Sequence, residues 1–353
     1  MISPDLAAFK KLSKKGNIIA LSETFPADLE TPVSSFLKVA DKARHAFLLE
    51  SAEQEEKIGR FSFLGINPPA VFESSKNGVA VTEKGRRKFL KNTKMLDVIE
   101  SALSKRRLAN PEAFPGFPGG FVGYFSYENV GDFEKIRLTS KKDSGFPLGI
   151  FFRIEDFVVF DHFRKTLSIV ILINRDKFKT SEIAYRSGLR QMSKYREKLR
   201  RPLKIPKFTK TLPQLKVTPN MSQKAYESKV RRIKEYIRAG DCIQVVPSQR
   251  FTLRHHGNDF QIYRSLRSIN PSPYMFYFRS GPYRLIGSSP EMLVKKTGRL
   301  AEVRPIAGTR PRGKNEQADL KLEKSLLSSR KEMAEHLMLV DLGRNDLGRV
   351  SEF

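Results

Sequence analysis

The 353-residue chain alternates between two hydrophobic rhythms. From about residue 17 to 200, apolar positions come in short runs divided by turns, with few helical stretches between them. Residues 149–174, GIFFRIEDFVVFDHFRKTLSIVILIN, place two β-branched and aromatic runs on either side of polar Arg164, Lys165 and Thr166, the pattern of a hairpin. These runs are apolar at successive positions, so both faces need cover, and they predict strands inside a covered sheet. Between 200 and 219, Pro202, Pro206, Pro213 and Pro219 interrupt a lysine-rich stretch. Proline removes backbone donors and breaks helix and sheet pairing. This stretch predicts a linker at 201–219 between an N-terminal region, 1–200, and a C-terminal region, 220–353.

After the linker, Ser222 is placed to cap a helix. Its apolar positions Tyr226, Val230, Ile233 and Ile237 recur at helical spacing, and Gly240 supplies the stop. A strand is expected at 242–253, followed by strands at 274–279, 283–288 and 292–296. Their short connections predict antiparallel pairing. From Leu320 the pattern is helical again. No internal repeat or low-complexity segment occurs.

Composition narrows the class. An apolar content of 39% with 29% charged residues is ordinary for a chain that buries a core. No run of eighteen apolar residues occurs, and the N-terminus lacks an apolar segment with a small-residue cleavage site, so neither export nor a membrane is expected. The single cysteine, Cys242, excludes an internal disulfide framework and a cysteine-based zinc cluster. It fits a reducing cytoplasm and reads as a buried structural thiol. The five histidines show no metal-ligand spacing, and His336 reads as structural. The formal net charge of +27 would attract polyanions, and basic clusters stand at 10–15, 84–94 and 194–216. No zinc finger, heptad-backed basic helix or aromatic RNA-reading strand accompanies them. The clusters therefore read as solvated surface, and a nucleic-acid partner is not expected.

Candidate chemistry lies between residues 288 and 349. Glu335 falls beside Leu339 and Leu342 on a predicted helix whose other stripe carries Met333, Leu337 and Val340. A carboxylate on an apolar stripe needs a partner, because burying it alone costs several kcal/mol. That partner is either Arg344 or Arg349 in an ion pair, or a magnesium ion. Glu291 in SSPEML follows Pro290 at a strand end. It is either a surface loop acid or a partly desolvated one that favours its protonated form and donates to a leaving oxygen. Gly308 allows close approach to the backbone and Thr309 supplies a hydroxyl, although Gly-Thr pairs are also common in turns. The aromatic stretch 272–278, SPYMFYF, reads as core or as the wall of a ligand pocket.

The blocks GDCIQVVPSQRF, NPSPYMFYF, LIGSSPEMLV, RPIAGTRPRG and EHLMLVDLGRNDLGRV, in that order, resemble the chorismate-binding enzymes, in particular the anthranilate synthase component I family. The N-terminal half is similar through ADLETPVSSFLK, FLLESAE, GRFSFLG and FPGGFVGYFSYE. The resemblance implies an α/β (α+β) fold of two large, mostly antiparallel sheets packed together with helices outside, with 1–200 as a regulatory region and 220–353 as the chorismate-binding region.

It also implies the site. Glu291 would protonate the departing ring hydroxyl of chorismate, Gly308 and Thr309 would hold the substrate, and Glu335 would be one of two glutamates binding Mg²⁺. Gln244 stands where water-adding relatives carry a lysine base. Ala307 stands where aminodeoxychorismate synthases, the nearest alternative, carry a nucleophilic lysine. The implied reaction is ammonia addition with loss of pyruvate, a lyase step in tryptophan biosynthesis. A glutamine amidotransferase subunit would supply the ammonia in a hetero-oligomer. Feedback inhibition by tryptophan would map to Ser51, Pro273, Tyr274 and Met275.

Family members continue past the DLGRNDLGR block with a catalytic histidine, substrate-gripping residues and the second magnesium glutamate. The resemblance therefore implies an incomplete chorismate-binding region, and a non-catalytic tryptophan-binding or partner-binding role is the reading from another class. The purified chain given chorismate and ammonia is expected to form little or no anthranilate, and measurable conversion would contradict this.

Overall fold

The structure is a computed structural model and describes residues 2–51, 59–113, 117–136, 145–205, 216–255 and 257–352. Its main feature is an eight-stranded antiparallel sheet in the order Ile2–Ser3, Ile18–Pro26, Thr166–Asn174, Asp156–Asp161, Phe61–Ile66, His45–Glu50, Tyr274–Ser280, Tyr283–Ser289. A second antiparallel sheet runs Arg86–Lys91, Gly78–Glu83, Ala70–Ser75, Gly149–Ile154, Gly120–Phe125.

The doubly apolar strands explain the layering. Along Thr166–Asn174, the residues Leu167, Ile169, Ile171 and Ile173 enter a core shared with helices, while Val170 and Leu172 enter a second core. Asp156–Asp161 does the same, with Val158 and Phe160 on the helical side and Phe157 and Val159 on the other. The helical side is covered by Phe9, Phe36, Val39, Met192, Tyr195, Phe260 and Tyr263, carried by the helices Leu6–Leu12, Pro32–Ala40, Ser181–Leu199 and Asp259–Ile269. The opposite side is covered by the five-stranded sheet through Val71, Val122, Ile150, Phe152 and Ile154. Phe152 stacks on Phe278 across this interface at 4.3 Å. The outer face of the five-stranded sheet is closed by Met95, Val98 and Ile99 of the helix Met95–Ser104. Fully burying such a side chain contributes about 1.5–3 kcal/mol, so strands buried on both faces anchor the fold.

The predicted hairpin at 149–174 forms: Asp156–Asp161 pairs with Thr166–Asn174 around a turn in which Lys165 takes φ 52°. The 274–288 strands form as a hairpin, Tyr274–Ser280 with Tyr283–Ser289. That hairpin joins the N-terminal sheet through His45–Glu50. Compact units consequently fall at Met1–Lys204 with Phe260–Phe353, and at Ile205–Asp259, so the expected division at 201–219 does not separate the N-terminal sheet from 274–289. Residues 206–215 of the expected linker lie outside the described residues.

Within the 205–259 unit, the predicted helix forms as Gln223–Ala239, with the Ser222 side chain accepting from Ala225 N–H at 3.3 Å and Gly240 closing it at φ 83°. The expected strand at 242–253 shrinks to Phe251–Thr252, paired with Thr218–Pro219. A strand needs a partner for its N–H and C=O groups, and among the described residues of this unit only that two-residue edge pairs. Ile243 and Val246 stand 78% and 83% exposed. The strand expected at 292–296 is likewise shifted to Lys295–Thr297, paired with Leu300–Glu302.

A buried charge joins the C-terminal segment to the sheet. Glu50, 4% exposed, accepts from Arg267 Nε and Nη2 at 2.9 and 2.8 Å and from the Tyr263 hydroxyl at 2.8 Å. Arg267→Ala leaves this carboxylate short of its cationic partner and is expected to destabilise the chain by roughly 2–3 kcal/mol, part of the cost being met by water at the half-exposed arginine. Denaturant unfolding measures it.

Asp156 gives a second test, through pH. Burial, with Glu155 beside it, pushes its carboxyl up to about 7 against the opposing pull of Lys194. The folded state therefore holds a proton that the unfolded chain releases near an ordinary aspartate value of about 3.9. Stability from this group is present below that value and is lost as pH rises towards about 7. Asp156→Asn is expected to raise the melting temperature at pH 8 and leave it unchanged near pH 3.5.

Candidate functional site

Three segments meet at the site, beginning where the strand Tyr283–Ser289 ends. Pro290 cannot donate to a ladder, and a local turn forms in which Ser289 Oγ donates to the Glu291 carbonyl at 2.9 Å. This turn directs Glu291 towards 305–313, where its Oε1 accepts from Ile306 N–H at 3.1 Å.

Two residues further on, Gly308 takes φ 80°. A Cβ there would stand 3.0 Å from Glu332 Oε2 and 3.1 Å from Leu326 Cδ1. The loop thus lies against the helices Glu316–Leu327 and Arg330–Gly348, which only glycine permits at this φ and distance. Arg310 Nη1 donates to Glu332 Oε1 at 3.2 Å and to the Thr309 carbonyl at 2.8 Å. Gly343 brings the same helix close to Val303, whose Cγ2 would lie 3.0 Å from an added Cβ. Asp319 accepts from Gly313 N–H at 2.7 Å and from Arg312 at 2.8 Å, and these partners hold its carboxyl below the usual range.

The predicted residues are therefore brought together in part. Glu291, the 306–309 loop and the helix bearing Glu335 are linked through Ile306, Gly308 and Glu332. Glu291 itself is exposed, so the partial desolvation expected for an acid catalyst is not provided by the described residues. Thr309 is exposed, and Gly308 and Ala307 are half-buried.

Glu335 differs from expectation. It is half-buried rather than buried, one turn beyond Glu332, and the helix Arg330–Gly348 buries no residue. The apolar stripe of Met333, Leu337 and Val340 stands 39%, 59% and 41% exposed, because no element covers it among the described residues. Neither expected arginine pairs with Glu335: Arg344 binds Asp341 at 2.7 Å and Arg349 reaches Glu134 at 3.4 Å. Gln244 belongs to the 205–259 unit and is exposed in irregular backbone.

The predicted effector residues fall on neighbouring strands. Met275 is the register partner of Glu50, which places Ser51 beside Tyr274 where the strands end. Ser51 and Met275 are buried, Pro273 is half-buried and Tyr274 is 38% exposed. The aromatic stretch thus serves as both core and rim, with Tyr277 and Phe278 inward and Tyr274 at the surface.

Among the described residues, no group of three or more His, Cys, Asp or Glu side chains is placed to hold a metal. Glu332 and Glu335 share one helix face. Glu335 makes no hydrogen bond or ion pair among the described residues, whereas Glu332 is engaged by Arg310. Mg²⁺ is commonly held by one or two carboxylates completed by water and substrate oxygens, and the free Glu335 fits that chemistry as one ligand.

Comparison with known proteins decides the family. Residues 44–353 match the model of the chorismate binding enzymes. The chain is 41% identical to anthranilate synthase component 1 of Acetivibrio thermocellus, covering 100% of this chain and 72% of that protein. It is 40% identical to the Synechocystis sp. protein of the same name, covering 99% and 72%. The chain belongs to the anthranilate synthase component 1 family. The solved anthranilate synthase component I of Streptococcus pneumoniae matches with TM-score 0.66 at 30% identity, covering 85% of this chain and 63% of that one. The menaquinone-specific isochorismate synthase of Escherichia coli, at 12% identity and TM-score 0.55, shares the fold.

For a member of the anthranilate synthase component 1 family, two residues at this loop were missed by sequence reasoning: Glu332 and Arg310. The available signal was the position of Glu332 one turn before Glu335. Gly308→Val adds bulk against Glu332 and Leu326 at a φ that L-residues resist. It is expected to detach the loop from the helix and to raise amide exchange at 306–310 by at least about tenfold, with little change in the eight-stranded sheet. Hydrogen exchange read by mass spectrometry checks this.

Proposed function

We propose that this chain belongs to the chorismate-converting component of an anthranilate synthase, the component that forms anthranilate and pyruvate from chorismate and ammonia in tryptophan biosynthesis. The observation that carries the reading is the hydrogen bond from Ile306 N–H to Glu291 Oε1. It ties the acid to the loop whose Gly308 touches the carboxylate-bearing helix. In this reading Glu291 is the general acid to the departing hydroxyl. Gly308 and Thr309 line the substrate. Glu335 is a ligand of Mg²⁺, which would act as template and Lewis acid for the ring carboxylate. Gln244, an amide, does not supply a base for adding water.

Ammonia would come from a glutamine amidotransferase subunit, since the single cysteine, Cys242, lies outside any nucleophile motif. Ser51, Pro273, Tyr274 and Met275 would bind tryptophan as a feedback inhibitor. The region containing Ser51 would then be regulatory and 220–353 chorismate-binding. No helix among the described residues is long and apolar enough to cross a membrane.

Calorimetry of the chain with chorismate tests the reading. Saturable, Mg²⁺-dependent binding is expected. Glu335→Ala should remove the metal dependence, and Glu291→Gln should leave affinity within about threefold because an acid acts mainly in the transition state. Absence of chorismate binding would refute it. The effector assignment has its own readout: the chain contains no tryptophan, so indole fluorescence reports added ligand alone. Saturable change, weakened about tenfold or more by Tyr274→Ala, is expected, and an unaltered response in that variant would refute the pocket.

A further inference from the structure

A groove of about 1220 Å³, lined by none of the candidate site residues, lies between the hairpin Gly78–Glu83/Arg86–Lys91 and the helix Met95–Ser104. The hairpin is closed by Lys84 and Gly85 at φ 50° and 77°, a two-residue turn with both central residues left-handed. Strand alternation then turns Arg86, Lys88 and Leu90 to the groove and leaves Arg87 and Phe89 outside its lining. Lys105 and Arg106 follow the helix on the facing wall, and Arg153 and Lys177 complete the cationic lining. Phe72, Val81, Leu90 and Val98 supply apolar lining.

Charge decides what such a groove accepts. With Lys84 at the turn, seven basic side chains line it against two acids, Glu83 and Asp97. Arg106, Arg153 and Lys177 share one further carboxylate, Glu155, at 2.8, 3.3 and 3.9 Å. Arg153 also binds Glu83 at 2.5 Å. Arg106 Nη2, Arg153 Nε and the Glu155 Oε1 between them are all buried without an aligned hydrogen bond, so this ion-pair cluster keeps donor capacity on the two arginines. Like charges lining one cleft raise each other's energy and concentrate anions there. The geometry points to a binding site for a polyphosphate chain, whose successive negative charges match cations spread along both walls. The apolar lining suits the nucleoside of a nucleotide.

This site is independent of the chorismate reading, and the whole chain is used to test it. The probes are ATP and inorganic tripolyphosphate, measured by calorimetry at ~150 mM salt so that diffuse attraction is screened. Both are expected to saturate at one site and to compete. Tighter binding of ATP assigns the nucleoside to the apolar lining, and equal binding assigns a free polyphosphate; either outcome supports the site. Lys88→Glu/Lys105→Glu alters two exposed side chains and should weaken both probes by at least about tenfold. Lys229→Glu/Lys234→Glu carries the same charge change on the helix Gln223–Ala239 and should weaken them by less than about threefold. A normal melting curve for each variant secures the comparison. The proposal is overturned if neither probe binds, if both variants lose affinity equally, or if only long single-stranded RNA binds.

Discussion

The antiparallel pairing of His45–Glu50 with Tyr274–Ser280 is the constraint on which the rest depends. It brings segments more than two hundred residues apart into one sheet. Closing so long a loop costs conformational entropy that local contacts cannot return. The return comes from burial on both faces: Tyr277 enters the helical core beside Phe36 and Phe260, while Phe278 stacks on Phe152 of the other sheet. Glu50 at the end of the pairing is satisfied only because Arg267 and Tyr263 arrive with the same segment.

Two consequences for function follow from that pairing. At its end, Ser51 comes beside Tyr274, so the proposed effector residues lie where the N-terminal sheet receives the C-terminal hairpin. At the hairpin's other strand, Tyr283–Ser289 carries Glu291 off the sheet edge and onto the 305–313 loop. A carboxylate fixed by a backbone N–H and a glycine turn pressed on a helix at Glu332 form a chain of short contacts, and Glu335 lies one turn further along that helix. The proposed effector and substrate residues therefore share one hairpin.

Local signals were legible in the sequence. Ser222 and Gly240 marked the helix Gln223–Ala239 because capping is decided within one turn. The doubly apolar 149–174 run marked its covered hairpin because both faces must be buried. The motif blocks nominated Glu291, Gly308, Thr309 and Glu335 as candidates, and the structure links Glu291, the 306–309 loop and the helix bearing Glu335. What escaped depended on partners distant in sequence. The 242–253 stretch has β-branched residues in plenty, yet a strand exists only where an edge accepts it. The stripe around Glu335 was read as buried because amphipathicity presumes a covering element. The Arg310–Glu332 pair joins residues 22 apart, and no spacing rule announces it. The 84–94 basic cluster read as solvated surface, since only the fold shows that it faces Arg106, Arg153 and Lys177 across a groove.

The central claim is that Glu291, the Gly308 turn and Glu335 surround a single chorismate molecule. A crystal structure of the chain soaked with chorismate and Mg²⁺ tests it most directly. The account predicts ligand density between the Glu291 carboxylate and residues 307–309, with the ring carboxylate directed towards Glu335. Density at another surface, or a structure in which the Glu291 and Glu335 side chains face away from each other across unconnected segments, would contradict it.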